Sequence, residues 1–245
     1  IELNGAAVEM NTQAFLWGRR AAHDIAAVEK LVAPPAPVAR LRQTSTSLAE
    51  IVEARVKLLS AYQDAAYALR YSAMIDKVRA AEASRAPGAS GLAEAVARNY
   101  AKLLAYKDEY EVARMHADPT FARAIAAQFE GDFKIKFHLA PPMIADRDDK
   151  TGHLVKRQFG SWMMSAFRVL RHLKFLRGTK LDIFGWTAER RMERQLIADY
   201  ETTLEEILNK LSPSNHAAAL RLANLPDEIR GYGHVKEANV AKARK

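Results

Sequence analysis

The sequence predicts a mainly α fold, a multi-helix bundle-like domain with one small β-hairpin. Three observations carry that reading. Apolar residues recur at three- and four-residue spacing over long stretches, the period that lines one face of an α-helix. Glycine, at 11, and proline, at 9 of 245 residues, are modest in number, which favours long helices over a loop-rich β fold. Strict alternation is clearest between Phe133 and Leu139, where Phe133, Ile135, Phe137 and Leu139 interleave with Lys134, Lys136 and His138. At 49% hydrophobic and 27% charged residues the chain can bury a substantial core, so wholesale disorder is excluded.

Val8 to Ala22 carries a helical stripe of Val8, Phe15 and Ala22, with Asn4 or Gly5 as the expected cap. A second short helix, Asp24 to Val32, must stop at Pro34-Pro35-Ala36-Pro37, because prolines lack the amide donor and restrict the residue before them. The chain is thus expected to divide into a tail (1–33), a linker (34–46) and a helical domain (47–245). It begins with Ile1 in a stretch that reads like the interior of a protein, which predicts a piece of a longer chain.

Ser47 and Glu50 form a capping box, each side chain taking the other residue's free amide. The stripe Leu48, Val52, Leu59, Tyr62, Ala66, Leu69, Ala73 then predicts one unbroken helix to Ala83, a spine for the bundle. Ser90 or Gly91 opens the next, with Leu92, Val96, Tyr100, Leu103 and Tyr110 on one face. Asp118-Pro119 restarts a helix that runs to Phe129, with proline at its first position. The alternating strand to Leu139 needs a partner, for which Leu154–Phe159 is the candidate. Ser161 or Ser165 begins a basic amphipathic helix (Met163, Phe167, Leu170, Leu173) ending at Gly178. Thr187 opens a long helix through Leu196, Tyr200, Leu204 and Leu208, Pro213 a short one to Asn224, and the last dozen residues are helical.

Charge is unevenly spread. From Lys150 to Lys180 there are eight Lys or Arg and no acid, so this segment alone accounts for the net +8. Lys156, Arg157, Arg168, Arg171, Lys174 and Arg177 make up a candidate face for an acidic protein partner, an anionic cofactor or an acidic neighbouring domain. Nucleic acid is the alternative, with Phe159, Trp162 and Phe167 available to stack on bases, although no recognised nucleic-acid motif accompanies them. Upstream, Lys107 and Glu111 stand at i, i+4 spacing and are expected to form a structural ion pair.

Other chemistries are poorly provided for. No Glu-x-x-His occurs and the seven histidines are scattered, so no metal site is expected. There is no Gly-x-Ser-x-Gly and no cysteine, which leaves no signalled nucleophile and excludes cysteine-held iron–sulfur clusters within these residues. Gly231-Tyr232-Gly233-His234 lacks the third glycine of a dinucleotide loop and reads as a turn before the last helix. No apolar run approaches the roughly 20 residues of a membrane span. No signal peptide is evident, and the absence of cysteine fits a reducing compartment, so a cytoplasmic location is expected.

Several stretches taken together resemble a known family. IELNGAAVEMNTQAFLWGR resembles the end of the gamma-type catalytic domain of the 2-oxoacid:ferredoxin oxidoreductases. YQDAAYALRY, AVARNYAKLLAYKDEYEVARMHADP, FEGDFKIKFHLAPP, DKTGHLVKRQFG, FGWTAERRMERQLIADYE and LPDEIRGYGHVKEANV resemble the helical C-terminal region of the long, fused indolepyruvate ferredoxin oxidoreductases. The likeness covers whole segments in order and carries no catalytic motif. It implies an enzyme that oxidatively decarboxylates aryl pyruvates, with coenzyme A as acyl acceptor and ferredoxin as electron acceptor. Thiamine diphosphate and iron–sulfur clusters then belong to other domains, and no cofactor is expected in this fragment. The partners it implies are those other domains, ferredoxin and coenzyme A, in a homo-oligomer with no membrane contact.

Overall fold

A computed structural model describes residues 7–32, 47–129, 131, 133–139, 155–231 and 234–243. The chain forms two compact units, Ile1–Thr44 and Ser45–Lys245. The first holds helices α1 (Val8–His23) and α2 (Ile25–Val32). Asp24 lies between them, and its side chain accepts the Ala27 amide at 3.0 Å. No described side chain of this unit is buried, and Met10, Phe15 and Leu31 are all exposed. The expected caps Asn4 and Gly5 and the linker 34–46 lie outside the described residues.

The second unit begins with the anticipated capping box, the Ser47 hydroxyl accepting the Glu50 amide and the Glu50 carboxylate accepting that of Ser47. The single spine helix does not form. The chain makes α3 (Leu48–Tyr62) and α4 (Ala65–Arg85), broken at Gln63-Asp64. Asp64 adopts extended backbone and its carboxylate accepts the Tyr67 amide at 2.8 Å, so it caps a new helix instead of continuing the old one.

Helix α5 (Leu92–Leu104) is the most buried element, packed by α3 and α4 and by the later helices α9 (Ala188–Lys210) and α10 (His216–Asn224). Leu92, Val96, Tyr100 and Leu104 meet Leu59, Tyr71, Val78, Tyr200 and Leu204 in one apolar core. The N-cap of α5 is Gly91, at φ 104, a backbone conformation that suits glycine and offers no capping side chain. A neighbouring helix supplies the missing acceptor. Glu82 of α4 is buried, and its two carboxylate oxygens accept the amides of Leu92 (2.8 Å) and Ala93 (3.0 Å), while His216 Nε2 of α10 lies 2.8 Å from it.

The expected continuation of α5 to Tyr110 is also interrupted. It ends at Leu104, and α6 (Glu109–His116) starts afresh behind the N-cap Asp108, whose carboxylate accepts the Glu111 amide at 2.8 Å. Helix α7 (Pro119–Ala126) follows with its proline in the first turn, stopping short of Phe129. Strand β1 is three residues long, Phe137–Leu139, and pairs antiparallel with β2 (Arg157–Phe159), Phe137 opposite Phe159. Residues 133–136 form no strand ladder, and of the expected inward positions there Ile135 is half-buried while Phe133 is exposed; Leu154 lies outside the described residues. Behind the hairpin, α8 (Met163–Leu170) ends earlier than its apolar stripe suggests, and a 3-10 turn, Arg171–Leu176, continues the chain. Phe137, Met163, Phe167 and Ala113 form a second, smaller core.

A short 3-10 turn, Phe184–Trp186, leads to α9, which Thr187 caps by accepting the Arg190 amide. Helix α10 begins at His216, three residues after Pro213, and α11 (His234–Ala243) closes the described chain. No helix among the described residues is long and apolar enough to cross a membrane. Mainly α, with eleven α-helices among the described residues and one two-stranded hairpin, is the fold observed.

Candidate functional site

Much of the basic segment turns inward. In a 3-10 helix residues three apart eclipse, so Arg171, Lys174 and Arg177 line up in one row along the turn after α8. That row faces the ends of other helices, where backbone carbonyls lack intrahelical partners and carry partial negative charge. Arg171 Nη1 donates to Ala117 O at the end of α6 (3.3 Å). Lys174 Nζ donates to Ala61 O (2.8 Å) and reaches Ser60 O (3.5 Å) near the end of α3. Burial and the nearby Arg177 hold the Lys174 ammonium below its ordinary range.

Arg177 is the centre of this arrangement. Its Nη1 donates to Tyr62 O and Gln63 Oε1, both at 2.7 Å, at the break between α3 and α4. Nε and Nη2 grip the two oxygens of Asp108 at 2.6 and 3.0 Å, while the Tyr62 ring lies 3.7 Å beneath the guanidinium carbon. Both side chains of the pair are almost fully buried, 6% and 3% exposed. Burial works against the guanidinium's charge, but the Asp108 hydrogen bonds together with the charge interactions with Tyr62, Asp108 and Tyr106 outweigh it and lift Arg177 above the usual arginine range. Burial, reinforced by Asp108, pushes the Tyr62 phenol well above its normal value, and its hydroxyl donates to Tyr106 O at 3.0 Å.

The expected Lys107–Glu111 pair takes a different form. Lys107 precedes the N-cap Asp108 and so lies outside α6, where i, i+4 geometry no longer applies. It is exposed, and Glu111 is held on both oxygens by Arg114 at 2.7 Å.

Lys156, Arg157 and Arg168, the rest of the expected basic face, are exposed. The same stretch of chain also exposes apolar side chains. The outer side of α8 and its 3-10 extension presents Trp162, Val169 and Phe175 at 62, 65 and 62% exposure, and Leu181, Ile183 and Trp186 are exposed further along. Of the aromatics considered for base stacking, Phe167 is buried and stacked on His116 at 5.2 Å, and Phe159 is half-buried in the hairpin. Trp162 alone of the three is exposed.

Two further features escape sequence reasoning. Asp182 is buried and accepts from the Tyr110 hydroxyl (3.1 Å) and the amides of Gly178 (2.8 Å) and Gly185 (3.0 Å), tying the end of the basic segment to α6. A cavity of about 250 Å³ opens between α6, β1, α8 and α9, with Val112, Leu139, Met163, Phe167, Leu170 and Phe184 for walls and Asp108, Glu109 and Arg190 at its polar end. The signal available in sequence was the acid cluster 108–111, but nothing in its spacing indicates that Arg177 takes Asp108 and that Arg190 faces Glu109. Among the described residues no three His, Asp or Glu side chains converge as a metal site needs.

No match was found among curated proteins or among solved structures. A family model does match, from Leu48, the first residue of α3, to Lys245. With four-fifths of its residues covered, the chain belongs to DUF6537, a family of unknown function.

Proposed function

We propose that the chain is the helical, non-catalytic C-terminal part of an indolepyruvate ferredoxin oxidoreductase, and that it docks domains or subunits of that enzyme. The enzyme would convert aryl pyruvates to aryl-acetyl-CoA and pass the electrons to ferredoxin. Thiamine diphosphate and iron–sulfur clusters would sit in its other domains, and the fragment alone would be inactive. What supports the enzyme class is the run of resembling segments from Ile1 to Val240.

What supports docking is one observation: an acid-free stretch of chain that exposes Trp162, Val169 and Phe175 along with Arg168. Apolar side chains gathered on an outer helix face mark a contact surface. Cations beside them favour an acidic counterpart on a neighbouring domain. Nucleic acid is the weaker reading, because Arg171, Lys174 and Arg177 are spent on backbone carbonyls and Asp108, and Phe167 is buried.

The test is Val169→Glu with Trp162→Glu in the full-length oxidoreductase, read by sedimentation and by ferredoxin reduction. Loss of assembly with helix content unchanged is expected. Unchanged assembly and kinetics would overturn the docking role. Salt-dependent DNA binding by the chain, with a steep slope in log salt, would favour the nucleic-acid reading instead.

A further inference from the structure

Six arginines among the described residues are at least partly withdrawn from solvent: Arg55, Arg114, Arg171, Arg177, Arg190 and Arg194. Five of them are held. Arg114 takes Glu111, Arg171 the Ala117 carbonyl, Arg177 Asp108, Arg190 Glu109 and Arg194 the Gly185 carbonyl. Arg55, half-buried on α3, has no hydrogen bond or ion pair among the described residues. A guanidinium carries five donors, and withdrawn polar groups ordinarily find acceptors.

Arg55 lines a cavity of about 450 Å³ between α3 and α5, bordered by Asp227 in the 3-10 turn that follows α10. Leu58, Ala101 and Ala105 supply apolar lining, and the short alanine side chains leave room. The volume falls within the range of small-molecule sites, about 300–1,000 Å³. Arg98 also lines it but is engaged by Glu94 at 2.8 and 3.1 Å. Lys102 Nζ donates to Pro226 O at 2.6 Å and reaches the exposed Asp227 carboxylate at 3.4 Å. An ammonium has three donors, so one is left for a ligand. Burial, with Arg230 and Lys236 nearby, holds the Lys102 ammonium below its ordinary range despite Asp227. An anion in the cavity would oppose that shift.

We propose that this cavity binds a small organic phosphate monoester, Arg55 taking two phosphate oxygens and Lys102 the third. A phosphate monoester carries close to two negative charges on three strong acceptors at neutral pH. The arginine fork matches two of those oxygens, and lysine serves as a point charge for the rest. A monoanion answers only one of the two cations. Leu58, Ala101 and Ala105 then receive a compact apolar body.

Calorimetric titration of the purified chain at pH 7.5 with phenyl phosphate, benzenesulfonate and phenol separates the possibilities. Phenyl phosphate is expected to bind with one-to-one stoichiometry and about tenfold or more tightly than either of the others. Arg55→Gln removes no bond of the fold, so helix content stays, and phosphate affinity is expected to fall about tenfold or more. Lys57→Gln, an exposed cation on the same helix that does not line the cavity, is expected to leave affinity unchanged. Leu58→Trp narrows the cavity without touching either cation and is expected to weaken phenyl phosphate. The proposal is overturned if benzenesulfonate binds as tightly as phenyl phosphate, or if Arg55→Gln and Lys57→Gln lower affinity equally, as general attraction to a chain of net charge +8 would require. It is overturned too if Arg55→Gln or Leu58→Trp leaves affinity unchanged, or if phenyl phosphate does not bind.

Discussion

Arg177 and Asp108, 69 residues apart, form a two-pronged ion pair that closes the junction of three chain segments. On one side the guanidinium satisfies the carbonyls where α3 ends, and on the other Asp108 caps α6. A buried pair of this kind gains little over an apolar replacement of both partners, but removing one leaves an uncompensated charge. Arg177→Ala is therefore expected to cost about 3–5 kcal/mol in urea unfolding. Arg177→Lys should recover little of this, since an ammonium cannot serve Asp108, Tyr62 O and Gln63 together. A loss below about 1 kcal/mol would place the pair among ordinary surface bridges.

The basic segment contains two populations, and charge reversal tells them apart. Arg171→Glu or Lys174→Glu sets a carboxylate against helix-end carbonyls and should lower the unfolding midpoint. Lys156→Glu and Arg168→Glu change exposed residues and should shift stability by no more than about 0.5 kcal/mol. Under the proposed function these two weaken docking in the full-length enzyme. Equal stability losses in both groups would contradict the inward row of cations.

Gly185 leaves no room for a side chain. A Cβ there would lie 2.4 Å from Asp182 Oδ2 and 3.3 Å from Arg194 Nη1. Asp182 cannot retreat without giving up Tyr110 and Gly178. Gly185→Ala is expected to destabilise by about 1–3 kcal/mol, read as a lower melting temperature. A neutral result would mean that the 182–185 turn shifts freely.

His116 gives the fold a pH dependence of known sign. It sits against Phe121, Phe137 and Phe167, with ring centroids 4.8–5.3 Å away, and its buried Nδ1 has no hydrogen-bond partner among the described residues. Burial, with the nearby Lys107, holds its pKa below the ordinary value. The unfolded chain therefore takes up the proton first, and stability is full above pH of about 6.5 and falls as pH drops below it. His116→Leu should remove part of that slope in unfolding measured between pH 7 and 5. An unchanged slope would show that other groups carry it.

Asp64 caps the helix that restarts after the first break. Replacing it with Ala removes the acceptor for the Tyr67 amide at a cost of about 1 kcal/mol. The break itself should persist, because Arg177 still holds Tyr62 O and Gln63. Amide exchange at residues 62–65 reports this. Protection continuous through that stretch would show that Asp64 alone makes the break.

Local rules in the sequence determined the helical class, the capping box at Ser47, the cap at Thr187, the proline start of α7 and the pairing of the Phe137 and Phe159 stretches. Each depends on residues a few positions apart or on a repeating apolar period. The interruptions at Gln63-Asp64 and at Ala105–Asp108 could not be read that way, because the apolar stripe passes straight through both. Asp64 and Asp108 look the same in sequence whether they sit inside a helix or cap one. What selects the cap at Asp108 is Arg177, brought from far along the chain, and Arg177 points inward because its segment winds as a 3-10 turn. Tertiary structure alone therefore decided that three of the six expected partner-facing cations are spent on helix-end carbonyls and Asp108. A helix end needs donors and a buried acid needs a cation, and the nearest supply was the acid-free basic segment.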